Sequence, residues 1–310
     1  SGASRLVTGN HPLYAKLESC LARFKRAEAA CVFGSGYLAN AGIIPVLVGR
    51  NGLVVVDELS HACIYAGTHL SRGTVITFRH NDVTHARELL ATHRGSYNHA
   101  MIVTDGVFSM DGDLAPLPEL VALAENYDTW VMSDDAHGLG VVGGGRGSSF
   151  VGNSGIPVPV QMGTLSKAIG SYGGYLCASA PVIELMRNRA RTLIYSTGLP
   201  PACVGAAIAA LDLIEREPSY AAEPVRKAKA FTQRAGLPDA QSPIVPIVIG
   251  DEEIALRKSR LLEDEGFLAV AIRPPTVKPG TARLRLTFTA QHPDDQVERL
   301  ADIVREKILA

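Results

Sequence analysis

The amino-acid sequence predicts an α/β fold: a mostly parallel sheet wrapped by helices, followed by a smaller C-terminal α+β domain. Between residues 12 and 215, short runs rich in β-branched residues alternate with segments of helical periodicity. The runs are apolar on both faces, as expected for strands that helices cover on each side. Beyond a polar stretch near residue 220, the pattern changes to three short strands with two helices, which is typical of a separate smaller unit.

Each element follows from a run of this kind. Strands of the larger sheet are predicted at 53–57, 74–78, 100–104, 130–134, 159–163 and 174–178. Helices are predicted at 37–48, 61–70, 83–93, 117–127, 181–191 and 202–215. The polar stretch 216–224 predicts a linker, and the residues after it predict strands at 245–249, 269–272 and 283–288 with helices at 252–265 and 293–308. The connection 231–242 is short for a link between a helix and a returning strand.

These elements suggest an N-terminal segment at 1–30, a large domain at 31–220 and a small domain at 221–310.

The 310 residues carry 30 Lys and Arg against 31 Asp and Glu, a formal charge of -1. Such a charge gives no uniform field to attract nucleic acid or an acidic membrane, so an anionic ligand must be held by local groups. No apolar run approaches the length of a membrane span, and we expect a soluble protein.

The cysteines favour a reducing compartment. Five are present, an odd number at wide spacing. The spacing matches neither a disulfide framework nor a Cys-x-x-Cys metal site. We therefore expect buried thiols in a cytoplasmic protein. The residues are Cys20, Cys31, Cys63, Cys177 and Cys203.

A lysine follows the predicted strand 159–163, in the segment Met-Gly-Thr-Leu-Ser-Lys167-Ala-Ile-Gly. Taken alone, such a lysine is more often a solvated surface residue. A lysine that is held in a partly desolvated turn can instead lose its proton and form a Schiff base with an aldehyde cofactor. Lys167 is therefore a candidate for covalent catalysis.

Two carboxylates and an imidazole follow the predicted strand 130–134, in the segment Ser-Asp134-Asp135-Ala-His137-Gly. A helix cap or a pair of metal ligands would use the same residue types, although no second acidic and histidine cluster supports a metal. An aspartate at a strand end ahead of a glycine-flanked lysine is the partner that the protonated nitrogen of pyridoxal phosphate (PLP) requires. Asp134 is the candidate for that partner, and Asp135 is more simply explained as a structural carboxylate.

Three further segments lie beside predicted strand ends. Gly-Ser-Gly36-Tyr37 leads into a helix and can offer backbone N–H groups to a phosphate, although Gly-x-Gly is often only a turn. His61 follows the strand 53–57, and Ser109 lies in the polar loop after the strand 100–104. Each is ambiguous alone. Because loops gather around a ligand at the carboxyl edge of such a sheet, together they indicate a PLP enzyme of aminotransferase-like fold.

Five segments are specific in combination. They are Ser4-Arg-Leu-Val-Thr-Gly-Asn-His, Asn81-Asp-Val-Thr-His, Asp105-Gly-Val-Phe-Ser-Met-Asp-Gly-Asp, Asp134-Asp-Ala-His-Gly and Ile194-Tyr-Ser-Thr. They strongly resemble the α-oxoamine synthases, PLP enzymes that condense an amino acid with an acyl thioester and release CO2. The resemblance covers essentially the whole chain, and members carry a further N-terminal segment ahead of the position that matches Ser1.

The resemblance assigns the cofactor contacts. Lys167 matches the lysine that binds PLP and then removes the Cα proton of the amino acid. Asp134 matches the partner of the ring nitrogen, and His61 matches a catalytic imidazole that stacks on the ring and contacts substrate. His137 matches the hydrogen-bond partner of the phenolic oxygen, and Ser109 matches another cofactor contact.

The same resemblance implies the phosphate contacts and a dimer. Gly36 and Tyr37 match the loop on the phosphate side, and Thr164 matches a contact to the same phosphate. Thr197 resembles a residue that reaches the cofactor phosphate of the neighbouring subunit. A homodimer with active sites at its interface follows by analogy.

Substrate choice is implied by the segment Ala-Ile-Arg273-Pro-Pro-Thr276-Val-Lys-Pro-Gly. It looks like the members that join L-alanine to a pimeloyl thioester in biotin biosynthesis. Arg273 would pair with the amino-acid carboxylate, since a guanidinium fork suits that planar anion, and Thr276 matches an acyl contact. The acyl donor is expected to be pimeloyl-CoA or pimeloyl-acyl carrier protein.

Two alternatives stay open at this point. A sibling synthase that uses glycine or serine, or a different acyl thioester, would share most of these motifs. The 2-amino-3-ketobutyrate ligases and 5-aminolevulinate synthases are examples that use glycine. A non-catalytic aminotransferase-like binding module is disfavoured by the intact pair of Lys167 and Asp134. Arg283 and Arg285 fit strand-face charges as well as they fit a site.

Overall fold

The computed structural model describes residues 2–152 and 155–309. Within these residues the chain divides into two units, each with its own internal packing. The first unit comprises the described residues of Ser1–Val107 and Ala115–Pro218, and the second comprises those of Phe108–Leu114 and Ser219–Ala310. The expected division at 1–30, 31–220 and 221–310 remains a prediction.

In the described part of the first unit, seven strands form one sheet. The spatial order is β1-β7-β6-β5-β4-β2-β3. The neighbours from β3 to β6 pair in parallel, whereas β7 runs antiparallel to both β6 and β1. The predicted mostly parallel sheet is therefore confirmed. The strands are β1 (Ala29–Phe33), β2 (Gly52–Asp57), β3 (Thr74–Phe78), β4 (His99–Asp105), β5 (Trp130–Asp134), β6 (Val160–Thr164) and β7 (Gly174–Ala178).

Helices cover this sheet because its central strands are apolar on both faces. All six residues of β2 are buried, for example. Ile43 and Ile44 of α2 share one core with Val54 and Val56 of β2. The helices of this unit are α1 (Pro12–Phe24), α2 (Gly36–Leu47), α3 (Ala62–Ser71), α4 (Val83–His93), α5 (Leu117–Asn126), α6 (Ala180–Arg189), α7 (Arg191–Ile194) and α8 (Pro201–Arg216).

The second unit is built on a smaller antiparallel sheet. Its order is β8-β10-β9. Phe231 and Phe288 lie in its core with ring centroids 5.1 Å apart. The elements are α9 (Pro218–Ala235), β8 (Ile244–Gly250), α10 (Glu252–Asp264), β9 (Val270–Ile272), β10 (Ala282–Thr287) and α11 (Asp294–Ile303).

The segment Phe108–Leu114 is held in this second unit by two arginines of β10. Arg283 donates from Nη1 to Asp111 Oδ1 at 2.5 Å, and Arg285 donates from Nε to the carbonyl oxygen of Ser109 at 2.6 Å. Arg283 is almost completely buried. Both arginines therefore have structural contacts within this unit.

The predicted elements agree with the structure within two residues at their ends, with two exceptions. The predicted linker 216–224 is wrong, because α9 begins at Pro218. Proline is well tolerated in the first turn of a helix, where its missing N–H has no intrahelical partner to lose. The predicted helix 293–308 is α-helical only as far as Ile303, and a π-helical turn follows at Val304–Ile308. Three elements of the first unit, α1, α7 and β1, have no counterpart among the predicted elements.

Among the described residues, no helix is both long and apolar enough to cross a bilayer. All five cysteines are free thiols, and Cys31, Cys63 and Cys177 are buried. Burial raises the pKa of Cys63 and of Cys177 to about 12, so both thiols stay protonated at neutral pH.

A buried ion pair anchors the loop after β5. Lys25 Nζ donates to Asp135 Oδ2 at 2.8 Å and to the carbonyl oxygen of Arg146 at 2.6 Å, and both charged side chains are almost fully buried. The Ser148 N–H donates to Asp135 Oδ1 at 2.9 Å. Asp135 thus joins the two ends of the loop, which agrees with the structural role that the sequence favours.

Replacement of Lys25 by methionine should lower the free energy of unfolding by about 3–5 kcal/mol, because the carboxylate of Asp135 would remain buried without its counter-charge. Urea denaturation measures this change. Lys16→Met, at an exposed position of α1, is the control and should stay within about 0.5 kcal/mol of the original chain. A loss below about 1 kcal/mol for Lys25→Met would contradict the anchoring role.

Candidate active site

Two buried carboxylates lie side by side at the carboxyl ends of β4 and β5. Asp105 and Asp134 are cross-strand partners in the sheet, and both are almost fully buried. Burial raises the pKa of Asp134. Burial and the charge of Asp134 together raise the pKa of Asp105 well above its ordinary value. Two neighbouring carboxyls in such a place cannot both ionise easily, so one of them must retain its proton more tightly.

Of the two carboxyls, Asp134 has hydrogen-bond donors at both oxygens that stabilise a negative charge. Its Oδ2 accepts a hydrogen bond from Asn40 Nδ2 at 2.7 Å, and its Oδ1 accepts one from the backbone N–H of Ala136 at 3.0 Å. These two donors and the charge of Lys167 act to lower the pKa of Asp134 and oppose the effect of burial. A cation that contacted this carboxylate would stabilise it further.

Lys167 and His137 come together from neighbouring strands. Lys167 lies in the tight turn after β6, where its carbonyl oxygen accepts from the Gly170 N–H at 2.8 Å. His137 lies in the turn after β5, in which the Gly138 N–H donates to the carbonyl oxygen of Asp135 at 3.1 Å. The distance from Lys167 Nζ to His137 Nε2 is 2.5 Å. A primary amine is therefore held against an imidazole at the carboxyl edge of the sheet.

His61 caps the N-terminus of α3. Its backbone N–H donates to Asp105 Oδ2 at 2.9 Å, and its Nδ1 accepts from the Cys63 N–H at 3.2 Å. Partial burial lowers the pKa of His61, and the positive charge of Lys167 adds to this while the charge of Asp134 opposes it. The imidazole is consequently neutral at neutral pH.

The start of α2 approaches the end of β6 closely. A Cβ atom added at Gly36 would lie 3.4 Å from Thr164 Cβ, which is van der Waals contact. Thr164 Oγ1 donates to the carbonyl oxygen of Gly173 at 2.9 Å and accepts from the Ser166 N–H at 3.3 Å. Tyr37, the next helical residue, is exposed. Ser35 Oγ accepts from the Leu38 N–H at 3.1 Å, and the preceding N–H groups of Gly36 and Tyr37 suit an anion.

Four further predicted residues lie elsewhere along the chain. Thr197 is exposed and forms an isolated β-bridge with Ser4. Ser109, Arg273 and Thr276 belong to the second unit. Arg273 and Thr276 are exposed there, joined by a bond from the Thr276 N–H to the Arg273 carbonyl oxygen at 3.0 Å.

Sequence reasoning missed three residues at this sheet edge. Asn40 and Cys63 contact Asp134 and His61 through hydrogen bonds, and Asp105 holds the backbone of His61. Asn40 comes four residues after Gly36, and this spacing places both on one face of α2. That spacing could have indicated Asn40. Cys63 carried no signal beyond its place two residues after His61.

The fold and this set of residues define a class of enzyme. The chain belongs to the aminotransferase class I and II family, whose profile matches residues 1–304. The fold class and the enzyme class predicted from the sequence are therefore confirmed.

Comparison with individual relatives shows which enzymes of this family the chain is similar to. The 8-amino-7-oxononanoate synthase of Methylocella silvestris is 64% identical over 306 residues, which cover 99% of this chain and 87% of that protein. The crystal structure of the 8-amino-7-oxononanoate synthase of Francisella tularensis has a TM-score of 0.81 at 25% identity, covering 97% of this chain and 88% of that one. A serine palmitoyltransferase from S. paucimobilis with a bound PLP–myriocin aldimine has a TM-score of 0.91 at 29% identity, covering 98% and 78%.

PLP, the cofactor predicted from the sequence, is the cofactor of this family, and the observed residues fit it. An amine beside an imidazole suits an aldehyde and its neighbouring phenolic oxygen. A buried carboxylate that already accepts hydrogen bonds from Asn40 and Ala136 suits a protonated ring nitrogen. The N-terminus of α2 at Gly36 offers backbone N–H groups to the phosphate.

Proposed function

We propose that this chain catalyses the decarboxylative condensation of L-alanine with a pimeloyl thioester. The products would be 8-amino-7-oxononanoate, CO2 and the free thiol, as a step of biotin biosynthesis. The observation that carries this proposal is the amine of Lys167 at 2.5 Å from His137 Nε2, in a chain 64% identical to an 8-amino-7-oxononanoate synthase.

The residues of the first unit supply the catalytic groups. When bound, PLP supplies the electron sink for the electron pair that is released at the amino-acid Cα. Lys167 would hold the cofactor covalently and, once displaced, take the Cα proton on its amine and return it later. Asp134 would keep a proton on the ring nitrogen through its negative charge. His137 would donate a hydrogen bond to the phenolic oxygen.

Other residues would position the cofactor. The neutral imidazole of His61 would cover the ring face and exclude water from it. The backbone N–H groups at Gly36 and Tyr37, with the hydroxyl of Thr164, would hold the phosphate at the helix N-terminus. Ser109 would provide one more polar contact.

The substrate contacts and the dimer belong to the same proposal. Arg273 would bind the amino-acid carboxylate through its guanidinium fork, and Thr276 would contact the acyl chain. Thr197 would reach the cofactor phosphate of the neighbouring subunit in a homodimer. Pimeloyl-CoA and pimeloyl-acyl carrier protein are the two candidate acyl donors for this reaction. The assay described next distinguishes between them by offering each in turn.

Serine is the competing amino acid, since a serine palmitoyltransferase shares the fold with a TM-score of 0.91. Its identity to this chain is 29%, against 64% for the Methylocella silvestris relative, and this difference favours L-alanine. The test offers L-alanine, glycine or L-serine with pimeloyl-CoA or pimeloyl-acyl carrier protein, and follows thiol release and product mass. If glycine or serine, and not L-alanine, drives thiol release, the proposal is wrong.

Arg273→Ala should raise the KM for L-alanine by about 10- to 100-fold, because a charge-assisted hydrogen-bond pair to the carboxylate is lost. The KM for the acyl thioester should change far less. Arg257→Ala, at an exposed position of α10, is the control and should leave both constants near those of the original chain. An unchanged KM for L-alanine would remove Arg273 from the carboxylate site.

A further inference from the structure

Asn40 is fully buried in α2 and joins two groups of the candidate site. Its Nδ2 donates to Asp134 Oδ2 at 2.7 Å and to Cys63 Sγ at 3.0 Å. The carboxylate also fixes how the amide is turned, since the opposite orientation would set the amide oxygen against a carboxylate oxygen.

The other half of this amide is not satisfied. Asn40 Oδ1 is buried and has no hydrogen-bond partner among the described residues. A buried unpaired carbonyl is costly, so the burial of an asparagine here is explained by its NH2 group and not by its oxygen. A residue whose role was only to fill space at this position would not need the amide.

Cys63 continues the connection from Asn40 to His61. Its Sγ lies 2.8 Å from His61 Nδ1, and its backbone N–H donates to the same nitrogen at 3.2 Å. Because that N–H requires an acceptor, Nδ1 is unprotonated and the imidazole proton lies on Nε2. The thiol, whose pKa burial raises to about 12, retains its hydrogen. Its Sγ lies 2.8 Å from His61 Nδ1 and 3.9 Å from Asp134 Oδ2, so the shorter contact favours donation to Nδ1 while the sulfur accepts from Asn40.

We propose that Asn40 and Cys63 are positioning residues that connect the carboxylate of Asp134 to the imidazole of His61 and hold His61 as its Nε2–H tautomer. This inference rests on the proposed roles of Asp134 and His61 toward PLP. Asp105 fixes the backbone of His61 separately, through the bond at 2.9 Å. The amide and the thiol therefore govern the ring of His61, whereas Asp105 governs its main chain.

The first test observes His61 directly, in cofactor-free protein labelled with 15N-histidine. The two ring nitrogens are assigned by the loss of their signals in His61→Gln. Cys63→Ala should shift the Nδ1 resonance and raise the protonated fraction of Nδ1, because one of its two donors is lost. Cys63→Ser should restore most of the original spectrum, since a hydroxyl also donates. Cys177→Ala, at an equally buried thiol of β7, is the matched control and should leave His61 unchanged.

The second test measures the dissociation constant of PLP by equilibrium dialysis. Asn40→Leu preserves side-chain size but removes both donors, and should weaken binding about tenfold, the expected loss for one hydrogen bond to a charged group. Asn188→Leu, at an exposed position of α6, should leave the constant unchanged. Circular dichroism shows whether Asn40→Leu folds, and if it does not, the Cys63 variants carry the test alone.

The outcomes separate this inference from the proposed function. An unchanged His61 spectrum in Cys63→Ala, or an unchanged PLP affinity in folded Asn40→Leu, would overturn the positioning role even if the enzyme joins L-alanine to pimeloyl thioesters. Use of another amino acid would overturn the proposed function and leave the histidine spectrum as expected, because that measurement requires neither substrate nor cofactor.

Discussion

Replacement of Lys167 by alanine is expected to abolish covalent attachment of PLP and to lower kcat by at least about 10³-fold. Two effects combine in this residue, since its amine would both bind the cofactor and move the Cα proton, and proton transfer by a positioned side chain alone contributes about 10²- to 10⁴-fold. The visible absorbance that borohydride bleaches should vanish. After reduction, the intact mass of the variant should lack the added cofactor.

A second lysine variant controls for effects of charge alone. Lys229→Ala, at an exposed position of α9, should retain the visible absorbance, the borohydride adduct and the turnover of the original chain. An unchanged spectrum in Lys167→Ala would show that another lysine holds the cofactor, and the geometry around His137 would then have another purpose.

Asp134→Asn should bind PLP and yet lose about 10²- to 10⁴-fold in kcat. The amide has the size of the carboxyl but no charge, so the ring nitrogen would lose its proton and the electron sink would weaken. Removal of one partner from a buried ion pair costs about 3–5 kcal/mol, and such a loss in the transition state corresponds to this range of rates. Single-turnover kinetics with L-alanine would measure the change.

The neighbouring carboxyl provides a matched control. Burial and the charge of Asp134 raise the pKa of Asp105 well above its ordinary value, so Asp105 favours its protonated form. An asparagine resembles that form and can still accept from the backbone N–H of His61. Asp105→Asn should therefore retain most of the turnover that Asp134→Asn loses. Equal losses in the two variants, or none in Asp134→Asn, would contradict the assignment of the charge to Asp134.

Much of the larger sheet could be predicted because local signals agree with tertiary structure there. The run Leu-Val-Val-Val at 53–56 is β-branched and apolar throughout, and every residue of β2 is buried. Asp134 ends one such strand, and His137 and Lys167 each lie three residues beyond a strand end, which made them identifiable. The structure brings the amine of Lys167 to the imidazole of His137.

The rest depended on packing that the sequence does not display. Prolines normally end helices, yet Pro224 lies inside α9 and is buried with Phe231 on the face that packs in its unit. The segment Phe108–Leu114 joins the second unit through Arg283 and Arg285, which are distant in sequence. Asn40 has no motif of its own, and its contact with Asp134 bridges 94 positions along the chain.

Helix α2 links two ends of the candidate site. Gly36 forms its first turn at the proposed phosphate contact, and Asn40, one turn later, holds the proposed partner of the ring nitrogen. The rise between these residues is about 6 Å, and the helix cannot stretch. Helix α2 would therefore fix the distance between the phosphate contact and the contact to the ring nitrogen. A vitamer without the phosphate would use only the ring contact at the Asn40 end of the helix. A shift of α2 would disturb both contacts at once.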